Sequence, residues 1–229
     1  MHKSELPESA LRIVQARSHG LTLFPLLQPK QTALVVVDLQ NAFMLSGMAL
    51  ETPIAREIVP NVNRLARALR DAGGHVVWLK VSMAGQRQAW SVWFENMLTP
   101  HAAADMEASL SPGHRGFELY AELDVKPGDL VVEKRRFSAF TPGSSDLDQR
   151  MRGLGVDTVV ITGTLTNNCC ESTARDAMML NYKVVFVSDG TATRTDEEHN
   201  ATLANVARIV GEVATTEQVL GKFAPSRAK

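Results

Sequence analysis

The sequence is short of cysteine, of aromatic residues and of charge imbalance, and it has no long apolar run. Two cysteines occur in 229 residues, and they are adjacent, Cys169 and Cys170. Neighbouring cysteines cannot tie distant parts of a chain together, so a disulfide framework is excluded and a reducing, cytoplasmic setting is expected. Lys and Arg number 24 against 25 Asp and Glu, a formal net charge of −1. A nucleic-acid binder or a protein held on an anionic membrane would carry a basic excess, so neither partner is expected. No apolar stretch reaches the ~18–20 residues that span a bilayer. The opening stretch MHKSELPESALRIVQARSHG carries charges throughout and no apolar segment, so a secretory signal is not expected. What remains, with 45% apolar and 21% charged residues, has the composition of a globular protein.

Residues 32–38 (TALVVVD) form a short Val-rich run, the pattern of a strand buried on both faces. Residues 75–81, 129–133, 158–162 and 183–188 repeat it, and 212–215 is a shorter sixth. Helical patterns lie between them. Residues 54–72 set Ile58, Val62, Leu65, Ala66 and Leu69 near a 3.6 period and stop at Gly73-Gly74. Residues 147–154, 166–180 and 195–210 are further helices, the last with Thr195 and Glu198 spaced as a capping box. This alternation predicts βαβ units in a single three-layer, doubly wound α/β domain with a mostly parallel sheet of about six strands. Residues 1–30 read as an N-terminal extension and 31–225 as the domain. Residues 82–128, with Trp90, Trp93, Pro100, Pro112 and Pro127, fit the alternation least. They are expected to run over the surface as a lid or partner-contacting segment.

In open parallel sheets, sites form outside the carboxyl ends of the strands. The first strand ends at Asp38, the third at Glu133-Lys134, and the fourth runs on towards Cys169. A carboxylate, an ammonium and a thiol thus meet on one edge. With Thr166 or Asn167 as N-cap, Cys169 falls in the first turn of its helix. Free N–H groups and the helix dipole there lower a thiol pKa and can hold an oxyanion. Cys170, Ala174 and Ala177, with Met178 beside them, form an apolar stripe, so Cys170 reads as core. Cys169, aligned with Thr173, reads as the nucleophile. Asp38 would take the thiol proton, and Lys134 would hold that carboxylate and offset charge on a reacting carbonyl. Phe43, Trp90, Trp93, Phe137 and Phe140 are candidates to line an apolar substrate pocket, and Gln40 to hydrogen-bond beside Asp38. His199 reads as structural, and Arg175 with Asp176 as an ion pair or subunit contact.

Residues 162–177 (TGTLTNNCCESTARDA) resemble the signature of the isochorismatase-like cysteine hydrolases, in which the cysteine follows a T-x-x-C pattern. VVVDLQNAF (35–43) resembles the family's first-strand motif, and EKRRFSAF (133–140) its Lys segment. The three occur in family order over about residues 30–225. The resemblance implies an Asp-Lys-Cys triad of Asp38, Lys134 and Cys169. It implies a cis peptide at Thr164–Leu165, an oxyanion hole made by the Leu165 and Cys169 N–H groups, and a homodimer or homotetramer. Nicotinamidases, similar to this group, hold a metal through an Asp-x-His segment and a further His. Residues 44–60 contain no His, so no catalytic metal and no other cofactor are expected.

Isochorismatases proper cleave a vinyl ether and lack the cysteine, so Cys169 points away from that chemistry. The Cys-Cys-Glu-Ser-Thr stretch is most similar to members acting on ureido, carbamoyl or cyclic-amide substrates. The reading is a metal-independent cysteine amidohydrolase that cleaves a C–N amide bond of a small molecule through a thioester. The alternatives are an isochorismatase-type vinyl-ether hydrolase, or a non-catalytic redox or binding module using Cys169-Cys170. A single thiol that reacts fast near neutral pH marks the hydrolase; reversible oxidation of both marks the redox module.

Overall fold

The computed structural model describes residues 1–17 and 19–223. Strands β1 (Thr32–Val37), β2 (His75–Val81), β3 (Leu130–Lys134), β4 (Thr158–Thr164), β5 (Lys183–Ala192) and β6 (Glu212–Ala214) form one sheet. Every neighbouring pair is parallel, in the order β3-β2-β1-β4-β5-β6. The α-helices among the described residues are α1 (Glu8–Gln15), α2 (Asn41–Met44), α3 (Val59–Asp71), α4 (Pro100–Ser109), α5 (Leu147–Gly153), α6 (Glu171–Met179), α7 (Asp196–Ile209) and α8 (Thr216–Leu220). No helix among the described residues is long and apolar enough to cross a membrane.

The period-two alternation of the strands divides the core into two layers. Ala33, Val35, Val37, Val159, Ile161, Val184 and Phe186 face the side covered by α5, α6 and α7. Leu34, Val36, Val160, Val185 and Val187 face α3 and α8, whose Val62, Leu65, Leu69 and Val219 are fully buried. This is the expected three-layer arrangement. Strand order reverses between β1 and β4, and the crevice outside a doubly wound sheet forms at such a reversal.

Several local expectations are corrected. Asp38 lies just beyond β1, with φ 49°. β5 continues past Ser188 to Ala192, and its register with β4 shifts between Ile161 and Gly163. The described residues of the N-terminal extension pack on the domain. α1 buries Ala10 and Val14 beside α7, and the Leu27 N–H donates to the Lys222 carbonyl at 2.8 Å. Only half of the Thr195 capping box forms: Thr195 accepts the Glu198 N–H, while the Glu198 carboxylate takes the Thr193 hydroxyl at 3.4 Å. A complete box instead opens α8, between Thr215 and Gln218. Arg175 pairs with Glu171, one helical turn back, at 2.7 Å, while Asp176 accepts the Thr141 hydroxyl. Met178 is 36% exposed, so the apolar stripe of α6 ends at Ala177.

The segment 82–128 carries a wide helical turn at Val92–Met97, then α4, then a 3₁₀ turn at Arg115–Phe117. Ala42, Phe43, Val81, Met83, Phe94, Ala103 and Leu110 form its own apolar cluster, joined by Trp90 and Trp93. That cluster packs the segment onto the tips of β1 and β2.

Candidate active site

Period-two alternation aims Lys134 inward. Along β3, Val132 and Lys134 are buried while Val131 and Glu133 are exposed. Lys134 pairs in register with Val81 of β2. Asp38 follows Val37, and its left-handed backbone costs about 1–2 kcal/mol for an L residue, although Asp tolerates it better than most. Val37 pairs with Gly163 of β4. A Cβ on Gly163 would fall 2.1 Å from the Val37 carbonyl oxygen, and φ there is +111°. Glycine alone lets β4 close on the residue that carries Asp38.

Lys134 Nζ lies 2.8 Å from Asp38 Oδ2, and both side chains are 0% exposed. Lys134 also donates to the Arg136 carbonyl at 3.1 Å. The Cys169 thiol is near enough to both groups to act on the ionisation of each. The ammonium approaches the carboxylate off the favoured direction, so neither Asp38 oxygen accepts a well-directed hydrogen bond among the described residues. The carboxylate therefore keeps acceptor capacity beside a thiol. Burial pushes the Asp38 carboxyl above the ordinary carboxylate value, with the Lys134 charge pulling the other way. Burial opposes the charge of Lys134, but Asp38 and Cys169 together hold it above the ordinary lysine value, so the ammonium persists.

The peptide Thr164–Leu165 is cis. The helix that follows begins as a wide turn, Thr166–Cys170, and continues as α6. Its N-cap is Leu165, without a side-chain cap, rather than Thr166 or Asn167. Those two side chains are engaged elsewhere. Thr166 Oγ1 bonds to His199 Nδ1 at 3.1 Å, and Asn167 accepts the Thr193 hydroxyl at 2.6 Å. Cys169 lies in the first turn, as expected, and the Leu165 N–H meets no acceptor among the described residues.

The expected lowering of the Cys169 pKa is overturned. Burial pushes the thiol up to about 12, against the pull of Lys134 and with the push of Asp38. The desolvation of a thiolate outweighs the first-turn dipole. Cys169 is 7% exposed and Cys170 0%. Cys170 is core, with its sulfur 3.8 Å from the Thr162 carbonyl.

The candidate substrate residues divide. Phe137 packs against the apolar cluster that includes Cys169. Its ring meets Trp90 at 4.8 Å and Trp93 at 4.9 Å, both edge-on. Phe43 joins the same Trp cluster. Phe140 is 8% exposed and leans on Tyr182 at 5.4 Å, within the cluster that holds Cys169. Gln40 is corrected. It is fully buried, donates to the carbonyls of Val81 and Phe117, and accepts the Val81 N–H at 2.7 Å. Its amide ties the β1 loop to β2 and leaves nothing for a substrate. His199 is structural, as expected: it is 0% exposed, bonded to Thr166 and Ser4, and stacked on His2 at 4.4 Å.

Two signals escaped the sequence reading. Gly163 stood inside the motif without a side chain to draw notice. Thr173, read as a polar alignment partner, is buried and accepts the Ala139 N–H at 3.4 Å, fixing the loop that follows Lys134.

Two open clefts lie away from this group. One of about 450 Å³ sits between the N-terminal segment and β6, and one of about 620 Å³ borders Tyr182 and Ile209. Neither is lined by a cysteine beside an acid and a cation. The Asp38–Lys134–Cys169 group combines all three at the sheet's reversal point, and it is the candidate active site.

The isochorismatase domain family model covers residues 32–218. This chain belongs to the isochorismatase family. It is 33% identical over 233 residues to the ureidoacrylate amidohydrolase RutB of Variovorax paradoxus, covering 96% of this chain and 90% of that one. The cysteine hydrolase from Pseudomonas syringae pv. phaseolicola superposes with a TM-score of 0.76 at 28% identity, covering 90% of this chain and 98% of that one. The N-carbamoylsarcosine amidase from Thermoplasma acidophilum gives a TM-score of 0.64 at 29% identity, covering 82% and 97%.

Proposed function

We propose that this member of the isochorismatase family is a metal-independent cysteine amidohydrolase that cleaves a ureido, carbamoyl or cyclic-amide C–N bond of a small molecule. The observation that carries the reading is a buried Asp38–Lys134 pair with the Cys169 thiol within reach of both. Similarity to the ureidoacrylate amidohydrolase and the N-carbamoylsarcosine amidase supports the bond class.

In this mechanism Asp38 takes the Cys169 proton as the thiolate attacks the substrate carbonyl. The oxyanion lies against the Leu165 and Cys169 N–H groups; the unengaged Leu165 N–H supports that role. Asp38 then gives its proton to the leaving nitrogen, and ammonia or an amine departs. Water, deprotonated by the same carboxylate, attacks the thioester and frees Cys169. Lys134 stays charged throughout and holds Asp38. Residues 44–60 supply no histidine for a metal, so chelators leave the reaction unchanged.

The redox alternative is disfavoured by Cys170, whose sulfur is wholly buried in the core. The vinyl-ether alternative is disfavoured by a cysteine at position 169. The test is ammonia release from ureido and carbamoyl compounds and ring opening of lactams, followed by appearance of the amine, with Cys169→Ala as control. Turnover in the parent and none in the variant supports the reading; turnover that survives in the variant overturns it.

A further inference from the structure

Beside the candidate active site lies a positive charge with no counter-charge. Arg136 is two residues past Lys134, and its carbonyl accepts the Lys134 ammonium. Its half-buried guanidinium donates to three oxygens, all neutral: Gln86 Oε1 at 3.0 Å, the Ala89 carbonyl at 2.9 Å and the Arg135 carbonyl at 2.6 Å. No carboxylate of the described residues lies within 4.0 Å of it. The half-buried Arg56, Arg70 and Arg175 each face a carboxylate. Arg17, the remaining half-buried one without such a partner, sits by Asp157 and Lys183 at the other end of the strands.

A second donor in the same nest is also unmet. The Trp93 indole N–H is buried without an acceptor among the described residues. The Arg136 guanidinium carbon lies 5.1 Å over the Trp90 ring, Trp90 and Trp93 stack at 5.7 Å, and both rings meet Phe137. Phe137 in turn packs against the cluster that includes Cys169. A partly desolvated cation and a buried N–H, both lacking a charged acceptor, are costly unless an acceptor arrives.

We propose that Arg136, with Trp93, binds a carboxylate at the far end of the substrate, making this enzyme selective for anionic amides. The planar guanidinium fork matches a carboxylate, and the aromatic rings flank the apolar stem between that carboxylate and the scissile bond. The inference rests on the amidohydrolase reading above.

The test pairs N-carbamoyl amino acids of one to four carbons with n-alkylureas of the same length, which lack the carboxylate. Ammonia release is measured for the parent, Arg136→Gln, Arg136→Lys and Trp93→Phe. The parent prefers the anionic member in kcat/KM by about 10- to 100-fold, the worth of a charge-assisted hydrogen bond. Arg136→Gln removes most of that ratio through KM, and Arg136→Lys and Trp93→Phe remove part of it. A parent without the preference, or a preference that persists in Arg136→Gln, overturns the proposal. So does an equal fall for both members of each pair, the outcome if Arg136 only latches the 82–98 segment. If Arg136→Gln does not fold, Trp93→Phe decides by the same ratio.

Binding separates this inference from the chemistry. Calorimetry on Cys169→Ala is expected to show the carboxylates bound at least about 10-fold more tightly than the alkylureas. Tighter carboxylate binding without turnover in the parent refutes the amidohydrolase reading and keeps the anion site. Turnover without that selectivity does the reverse.

Discussion

Replacing Lys134 by Met tests whether the buried pair serves stability or chemistry. At 2.8 Å, with an effective dielectric of about 20, the attraction between Asp38 and Lys134 is about 6 kcal/mol. Both groups are wholly buried, and taking each ion out of water costs several kcal/mol, so the pair as a unit is close to neutral for folding. Breaking it is another matter. Lys134→Met leaves Asp38 buried with no counter-charge, so it must take up a proton to stay there, and a loss of up to about 3–5 kcal/mol is expected. Asp38→Asn strands the ammonium at a similar cost. The double variant Asp38→Asn/Lys134→Met removes both charges and recovers most of that stability, to within about 1–2 kcal/mol of the parent. Urea unfolding followed by circular dichroism gives the three differences, and ammonia release gives the activities. All three variants are expected to be inactive. A double variant as unstable as the sum of the singles would refute the charge accounting. Turnover in the stable double variant would refute the catalytic role of the pair.

Other consequences are as specific. Cys169→Ala keeps the parent's stability within about 1 kcal/mol, because it removes one sulfur from a site that still touches solvent, and it abolishes turnover. In the resting enzyme, iodoacetamide at pH 7.5 alkylates Cys169 more slowly than free cysteine, because burial raises the thiol pKa; this replaces the expectation of a fast-reacting thiol, and labelling at the free-cysteine rate contradicts that burial. Gly163→Ala lowers stability by about 3 kcal/mol or more and activity with it, since its Cβ would strike the Val37 carbonyl next to Asp38; a variant with the parent's melting temperature excludes that clash. Burial, with His2 stacked beside it, holds His199 at about 4, so folding favours its neutral form. That contribution, about 3 kcal/mol, is present above pH 6.5 and is lost as pH falls towards 4; His199→Gln flattens the slope of unfolding free energy over that range.

Much of the fold was legible because its strands are buried on both faces. Such strands appear as short Val-rich runs at regular spacing, and their ends locate the carboxyl edge of a parallel sheet. Asp38, Lys134 and Cys169 could be put together from that edge alone. The features that were not legible depend on contacts far apart in sequence. α1 reads as polar and mixed, yet Ala10 and Val14 bury against α7. Thr166 is a good capping residue by type, but His199, 33 positions away, takes its hydroxyl. Gln40 looks like an available amide until Val81 and Phe117 occupy it. Arg136 sits in a run of charges that suggests solvent, and only Trp90 and Gln86 folding over it reveal a half-buried cation. The pKa of Cys169 failed for a related reason: a first turn can be recognised in sequence, but the degree of burial that overrides it cannot.

A thiol held at about 12 and a nucleophile are compatible once the proton is followed inside the site. In the proposed mechanism the decisive step transfers a proton from Cys169 to Asp38, so it depends on the difference between the two affinities rather than on either alone. Burial raises both, and the Lys134 charge lowers both. Burial of the site therefore keeps donor and acceptor shifted in the same direction while denying each to bulk water. A thiolate formed only as the carbonyl arrives is sheltered from adventitious oxidation and alkylation, and the proton on Asp38 is already positioned for the leaving nitrogen. Lys134 cannot be spared in this scheme. Without its charge, burial would hold the carboxyl protonated, and Asp38 could no longer receive what Cys169 must give up.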